Sequence, residues 1–100
     1  MGYDVVIRYD GGDWIWGIIM SEALHCAIFD THNLWKSYPH LRQLEDCYGG
    51  AGFGCEGIQN LVSEMEQYQM RIPDKLIDEY VDLLVKLKQP QLAEVKFLGD

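Results

Sequence analysis

Residues 3–20 read YDVVIRY-DGGD-WIWGIIM, and this stretch decides how the rest of the chain is arranged. It holds two runs rich in β-branched and aromatic residues, joined by Asp-Gly-Gly-Asp, which is a strong signal for a β-hairpin. Because side chains alternate along a strand, Trp14, Trp16 and Ile18 are expected to share one face of the second strand. The opposite face is also apolar, so each face must be covered or serve as a docking surface. Gly17 between bulky neighbours predicts either a close backbone approach or a bulge.

The middle of the chain is dominated by helical signals. Ser21 is a suitable N-cap for a helix over residues 22–29, although the apolar end of this segment also fits a third strand. Pro39 is placed to open a short helix. Apolar residues then recur at steps of three and four between Ile58 and Tyr68, and again between Leu76 and Leu87, which predicts two amphipathic helices.

The last apolar segment, residues 93–98, alternates and is predicted to be a strand beside the N-terminal hairpin. The sequence therefore predicts an α+β fold, in which an N-terminal β-hairpin, with or without the C-terminal strand, packs against three to five α-helices. One hundred residues suffice for one domain with an ordinary core and are too few for two. Residues 1–100 are therefore expected to form a single domain.

A glycine-rich stretch, YGGAGFGCEG at residues 48–57, separates the aromatic first half of the chain from the acidic second half. It predicts a flexible loop leading into a helix, because fixing glycine in a regular element costs the most chain entropy. Its end fits G-x-G-x-x-G, but a nucleotide-binding loop follows a buried strand in a βαβ unit, whereas residues 41–48 read as a short helix. Glu56 would also lie where an anionic ligand has to rest. The stretch is therefore not expected to bind phosphate.

The net charge of −8, from 16 acidic and 8 basic side chains, is the most informative global property. It argues against direct nucleic-acid binding and against an anionic membrane surface, because both are recognised through Lys and Arg. It favours solubility and, where there is a partner, a partner with a basic surface. The apolar runs are too short to span a membrane, and Asp4 stands where a signal peptide would carry positive charge. We therefore expect a cytoplasmic protein.

Cysteine and histidine side chains offer the atoms for metal binding or nucleophilic catalysis, but not the spacing. Structural zinc ligands usually come in closely spaced pairs, and the three His and three Cys do not. No neighbouring residue is positioned to activate a thiol, so a Cys–His nucleophile pair is an alternative without specific support. We predict no metal, no cofactor and no catalysis, with the cysteines acting as small buried hydrophobic residues in a reduced protein.

Two groups of residues are candidates for contact with another protein. Asp74, Asp78 and Asp82 follow one another at four-residue spacing along the last predicted helix, beside Glu79. Like charges at this spacing destabilise a helix by roughly a few tenths of a kcal/mol each, so the row is either a solvated face or a contact for a basic surface. The second group is aromatic, since Trp is a favoured interface anchor as well as a core residue. The predicted partner-binding residues are Trp14, Trp16, Glu64, Glu66, Asp74, Asp78, Glu79 and Asp82.

These properties together favour a small acidic protein that binds another protein and has no catalytic activity. The expected role is that of an inhibitor occupying a basic site, for example a nucleic-acid-binding site, of a larger protein. In general character, though in no alignable motif, the chain resembles phage anti-defence proteins of the anti-CRISPR or anti-restriction type. The alternatives are a toxin-immunity partner, a small ligand-binding, metal-binding or Cys-dependent enzyme domain, and a homodimeric structural protein.

Overall fold

Four antiparallel strands form one sheet in the computed structural model, which describes residues 2–46 and 50–99. The strands are β1 (Tyr3–Tyr9), β2 (Trp14–Met20), β3 (Ala51–Phe53) and β4 (Leu92–Leu98). They lie side by side in the order β2-β1-β4-β3. The predicted hairpin is confirmed as β1 and β2, and the predicted C-terminal strand is confirmed as β4, which pairs with β1.

Four α-helices, connected in part by short 3-10 turns, complete the described part of the chain and confirm the predicted α+β class. The helices are α1 (Glu22–Phe29), α2 (Pro39–Arg42), α3 (Cys55–Tyr68) and α4 (Ile77–Leu87), and the 3-10 turns cover Leu34–Ser37, Gln69–Arg71 and Asp74–Leu76. Ser21 caps α1 as predicted, because its Oγ accepts a hydrogen bond from the Leu24 N–H at 3.1 Å. The helix expected over 41–48 is shorter than predicted, since α2 ends at Arg42; residues 47–49 lie outside the described residues.

The described helices lie on one face of the sheet, and none of them covers the other face. On β1, the side chains of Tyr3, Val5 and Ile7 are each at most 1 % exposed and belong to the hydrophobic core shared with the helices. The residues between them lie on the opposite face, and none of those belongs to the core. We call this second side of the sheet the open face.

A β-bulge at Gly17 changes which side chains of β2 reach the core. Val5 pairs with Ile18 and Val6 pairs with Trp16, so Gly17 is the extra residue that the pairing skips. Since residues directly opposite each other share a face, Ile18 lies on the helix side and Trp16 on the open face. The expectation that Ile18 shares a face with the two tryptophans is wrong, and the bulge interpretation of Gly17 is confirmed. A Cβ at Gly17 would also lie 3.0 Å from the Val5 carbonyl oxygen.

The glycine-rich stretch contains regular structure, so the prediction of a loop is wrong for residues 51–53. These residues form β3, which pairs with β4, and α3 begins two residues later. Gly50 has φ +69°, and a Cβ there would lie 2.8 Å from the Phe97 carbonyl oxygen. A Cβ at Gly57 would meet the Phe53 ring at 3.2 Å. These glycines therefore allow close packing of β3 against β4 and α3. The sheet pairs all its strands antiparallel, which is not the parallel βαβ setting of a dinucleotide-binding loop.

Tyr80 provides a test of how α4 is anchored in the core. Its side chain is fully buried, and its hydroxyl donates a hydrogen bond of 2.7 Å to the Met65 carbonyl oxygen on α3. Burial, with smaller contributions from Tyr68 and Tyr38, raises the pKa of Tyr80 far above its ordinary value. Above about pH 10 the unfolded chain releases this proton and the folded chain keeps it, so the free energy of unfolding falls as pH rises.

We predict that Tyr80→Phe lowers the free energy of unfolding by about 1 kcal/mol near neutral pH, through loss of the hydrogen bond. The variant should also lose less stability than the wild type between pH 9 and 11. Part of the decrease in stability at alkaline pH will remain in the variant, because burial also raises the pKa of Tyr68. Urea unfolding at several pH values measures both effects. An identical alkaline loss in the two proteins would contradict the assignment.

Candidate protein-binding surface

Strand β2 forms an edge of the sheet along its full length of seven residues. An edge strand leaves about half of its backbone N–H and C=O groups without a partner strand. Proteins usually protect such edges with charged residues, proline, bulges or a covering loop. The sequence of β2, WIWGIIM, contains no charge and no proline. Apart from the bulge at Gly17, β2 therefore carries none of these sequence devices against pairing with another chain.

The open-face side chains of β2 are large, apolar and exposed. Trp14 and Trp16 are 38 % and 60 % exposed, and Ile19 is 54 % exposed. The Lys96 ammonium lies 4.6 Å from the centroid of the Trp14 ring, a cation–π distance that holds this indole against β4. The Trp16 ring is the most exposed of the three, so it is the strongest candidate for an interface anchor.

The helix side of β2 is also apolar at the edge. Ile15 pairs with Ile7, which places it on the helix side, and it is 50 % exposed. Val85 on α4 is 58 % exposed. Helix α4 runs antiparallel to β2. Glu79, near the start of α4, bonds to Ser21 just after the end of β2. Gln89, just beyond the end of α4, accepts a hydrogen bond from the hydroxyl of Tyr9, which precedes the hairpin turn. Ile15 and Val85 therefore lie towards the same end of β2.

The exposed apolar residues on the two faces of the edge strand, with Val85 on the helix beside it, are taken together as one candidate surface. We define the β2 surface as Trp14, Ile15, Trp16, Ile19 and Val85. Ile15 and Val85 are not among the residues predicted from sequence. The signal available for Ile15 was the apolar character of both faces of the strand, but only the sheet order shows that the strand is an edge.

The predicted row of acids on the last helix is shorter than expected. Asp78 and Asp82 are both exposed and lie one turn apart on α4, which packs against β2. Asp74 is exposed but belongs to the 3-10 turn that precedes α4, so the regular helical spacing does not extend to it. The structure thus places two of the three aspartates on the helix beside the β2 surface.

Two of the predicted partner-binding acids accept hydrogen bonds from backbone N–H groups of the chain. Glu79 accepts from the Ser21 N–H at 2.8 Å and from the Ser21 hydroxyl at 2.7 Å. Glu64, whose side chain is 13 % exposed, accepts from the N–H groups of His40 and Leu41 at 2.8 and 3.0 Å. Its second oxygen lies 2.6 Å from His40 Nδ1. Both carboxylates therefore satisfy groups around helix N-termini that otherwise lack intrahelical acceptors.

Glu66, the remaining predicted acid, lies on the exposed side of α3. Its carboxylate is 2.7 Å from Lys88 Nζ, in an ion pair whose two side chains are both about half exposed. An exposed pair of this kind contributes little to stability, roughly 0–1 kcal/mol. Glu66 is thus close to the C-terminal end of α4 and separate from the β2 edge.

The neighbourhood of β2 is negative. No Lys or Arg occurs between Tyr9 and Trp35, whereas this segment contains four acidic residues. Asp10 and Asp13 flank the hairpin turn at one end of β2. On the other strands, the charge of Arg8 is largely balanced by Glu94 at 2.6 Å, and Lys96, over the Trp14 ring, contributes one positive charge. An approaching protein with positive charge would therefore be attracted to this side of the molecule.

Thiol and imidazole groups do not come together in the described residues. His25, His32 and His40 bond respectively to the Leu44 carbonyl, the Tyr68 hydroxyl and Glu64. Residues 2–46 and 50–99 contain no group of three His, Cys, Asp or Glu side chains that could hold a metal ion.

The two described cysteines, Cys26 and Cys55, line separate clefts of about 500 and 410 Å³, and the lining of neither cleft includes a histidine. A hydrogen bond to Asp30, together with burial and nearby negative charge, raises the pKa of the Cys26 thiol and so disfavours the nucleophilic thiolate. The expectation that the cysteines are buried is wrong for Cys55, which is exposed, and holds only partly for Cys26. Cys47 lies outside the described residues.

Comparisons of the chain with protein-family models, with curated proteins and with solved structures found no match. Among the helices of residues 2–46 and 50–99, none is long and apolar enough to pass through a bilayer.

The different surroundings of Glu64 and Glu66 predict different effects of the same substitution. We expect Glu64→Ala to lower the free energy of unfolding by about 1–3 kcal/mol, because two backbone N–H groups of α2 and the His40 imidazole lose their carboxylate partner. Glu66→Ala is the matched control on the same helix and should change it by less than about 1 kcal/mol. Urea unfolding of both variants measures the difference. Equal effects would show that Glu64 does not hold α2 in place.

Proposed function

We propose that this chain is a non-catalytic protein-binding protein whose β2 surface engages a positively charged region of a larger protein. The observation that carries the proposal is the exposure of Trp16, Ile15 and Ile19 on one uncovered edge strand. Leaving apolar area in water forgoes a burial free energy of roughly 25 cal/mol per Å², and a group of large exposed apolar side chains is typical of a protein–protein contact.

The charge distribution supports a basic partner. The chain carries a net charge of −8, and Asp10, Asp13, Asp78 and Asp82 are exposed around or beside β2. Opposite charge on the partner would increase the rate of association and select against acidic proteins. Tryptophan anchors would supply most of the binding energy, since a few large side chains usually dominate an interface.

The role proposed for this binding is inhibition, by occupation of a basic site such as a nucleic-acid-binding site. A phage anti-defence protein of the anti-CRISPR or anti-restriction type would act in this way in the cytoplasm of the host. The free thiols of Cys26 and Cys55 are compatible with a reducing compartment. A toxin-immunity protein has the same physical requirements, and the identity of the captured partner distinguishes the two roles.

The first test concerns the proposed anchor. Trp16→Ala should weaken binding to a partner captured from the native host by at least about tenfold, because a central Trp is a frequent hot spot. Met70→Ala is the control, since Met70 is 86 % exposed but lies in the turn after α3. Calorimetric titration of the purified partner with both variants measures the change. Unchanged affinity in Trp16→Ala would contradict the assignment of the β2 surface.

The second test concerns charge. Reversing Asp78 and Asp82 together to Lys should slow association by about tenfold at low salt and reduce its dependence on salt. Glu79 is left unchanged because it supports Ser21. Glu45→Lys with Glu56→Lys makes the same change in net charge at exposed positions outside β2 and α4, in the segments that precede and follow β3. Stopped-flow mixing measures the rates. Equal slowing by both pairs would indicate a net-charge effect without a localised acidic contact.

A further inference from the structure

We infer that the partner binds by adding a β-strand to the edge of β2, as an extended segment with apolar residues in its centre and Lys or Arg at its ends. This inference rests on the proposed function and specifies how the same surface is used. Strand addition gains affinity from main-chain hydrogen bonds and specificity from alternating side chains.

The two edges of the sheet differ in what they offer to another strand. β3 has three residues, including Gly52, which has no side chain to contact a neighbouring strand. β2 has seven residues and, among the described strands, pairs with β1 alone. A strand paired along β2 would find both unsatisfied backbone groups and large side chains. The β2 edge is therefore the site of addition.

Exposure on both faces of the edge favours strand addition over docking on the open face alone. Trp16 and Ile19 are exposed on the open face, whereas Ile15 and Val85 are exposed on the helix side. A partner lying flat on the open face would leave the helix-side pair in water. The side chains of an added strand alternate between the two faces, so they contact both sets at once.

Charge decides between a foreign strand and a second copy of this chain. In an antiparallel pair of two β2 strands, the start of one lies beside the end of the other. With the two strands fully overlapped, Asp13 of one copy would face Ser21 of the second copy and lie next to Glu22, so like charges would repel at both ends of the pair. The full charge of −8 on each copy adds to this repulsion. Basic residues at the ends of the added strand would instead meet Asp13 and Glu22.

The probe for the test is a ten-residue peptide of alternating valine and threonine with two lysines at each end. Hydrogen exchange of the full chain, followed by NMR, should show protection of alternate amides along β2 when this peptide is added. Two versions of the peptide, N-methylated on one or the other set of alternate residues, provide matched controls. One N-methylated version should bind at least about tenfold more weakly and the other nearly as well as the parent, because only one edge of the peptide pairs with β2.

A peptide with glutamates in place of the lysines should also bind at least about tenfold more weakly, as charge complementarity requires. Three results would overturn strand addition: no peptide binding, binding that changes indole fluorescence without protecting β2 amides, and a dimer of the free chain with those amides already protected. The second result keeps the proposed function and rejects only the mode of binding. If Trp16→Ala loses partner binding but the partner does not protect the β2 amides of the wild type, only the mode of binding is rejected. If Trp16→Ala binds the partner with wild-type affinity, the proposed function itself is rejected.

Discussion

Strand β1 is paired on both sides, with β2 on one side and β4 on the other, and this pairing decides which surfaces of the molecule stay uncovered. Because β1 and β4 are enclosed, the edges of the sheet are β2 and the much shorter β3. The helices bury one face, where Tyr3, Val5 and Ile7 lie in the core. Met20 and Ile18 of β2 pack into or against this core, whereas Ile15, Trp16 and Ile19 are at least half exposed, without a covering strand or helix layer among the described residues. This position makes the β2 surface the candidate for contact with another protein.

The acidic residues divide into two classes that net charge alone does not separate. Glu64 and Glu79 accept hydrogen bonds from groups at the starts of other helices, so they connect α3 to α2 and α4 to the segment between β2 and α1. Asp78 and Asp82 lie on the exposed side of α4 and are available to a partner. Neighbouring positions on a helix point in different directions, and Glu79 consequently differs in role from Asp78 beside it.

Glycines in this fold set the pairing register of β2 and allow other elements to pack closely together. The bulge at Gly17 shifts the rest of β2 by one residue, which turns Ile18 towards the helices and Ile19 towards the open face. At the other edge, Gly50 and Gly57 let β3 lie close to β4 and α3. The stretch with the highest glycine content is consequently part of the sheet, since the pairing of β3 with β4 offsets the entropy cost of ordering it.

The sequence by itself determined the α+β class, the N-terminal hairpin, the amphipathic helices and the C-terminal strand, because each of these follows from local periodicity, turn residues and caps. It also indicated Trp14 and Trp16 as candidates for contact, since both faces of their strand are apolar. Only the tertiary structure decided the strand order, the addition of β3, the exposure of Ile15 and Val85, and the internal bonding of Glu64 and Glu79. The physical reason is sequence separation: the Ser21–Glu79 bonds join residues 58 positions apart, and no local pattern reports on such a contact.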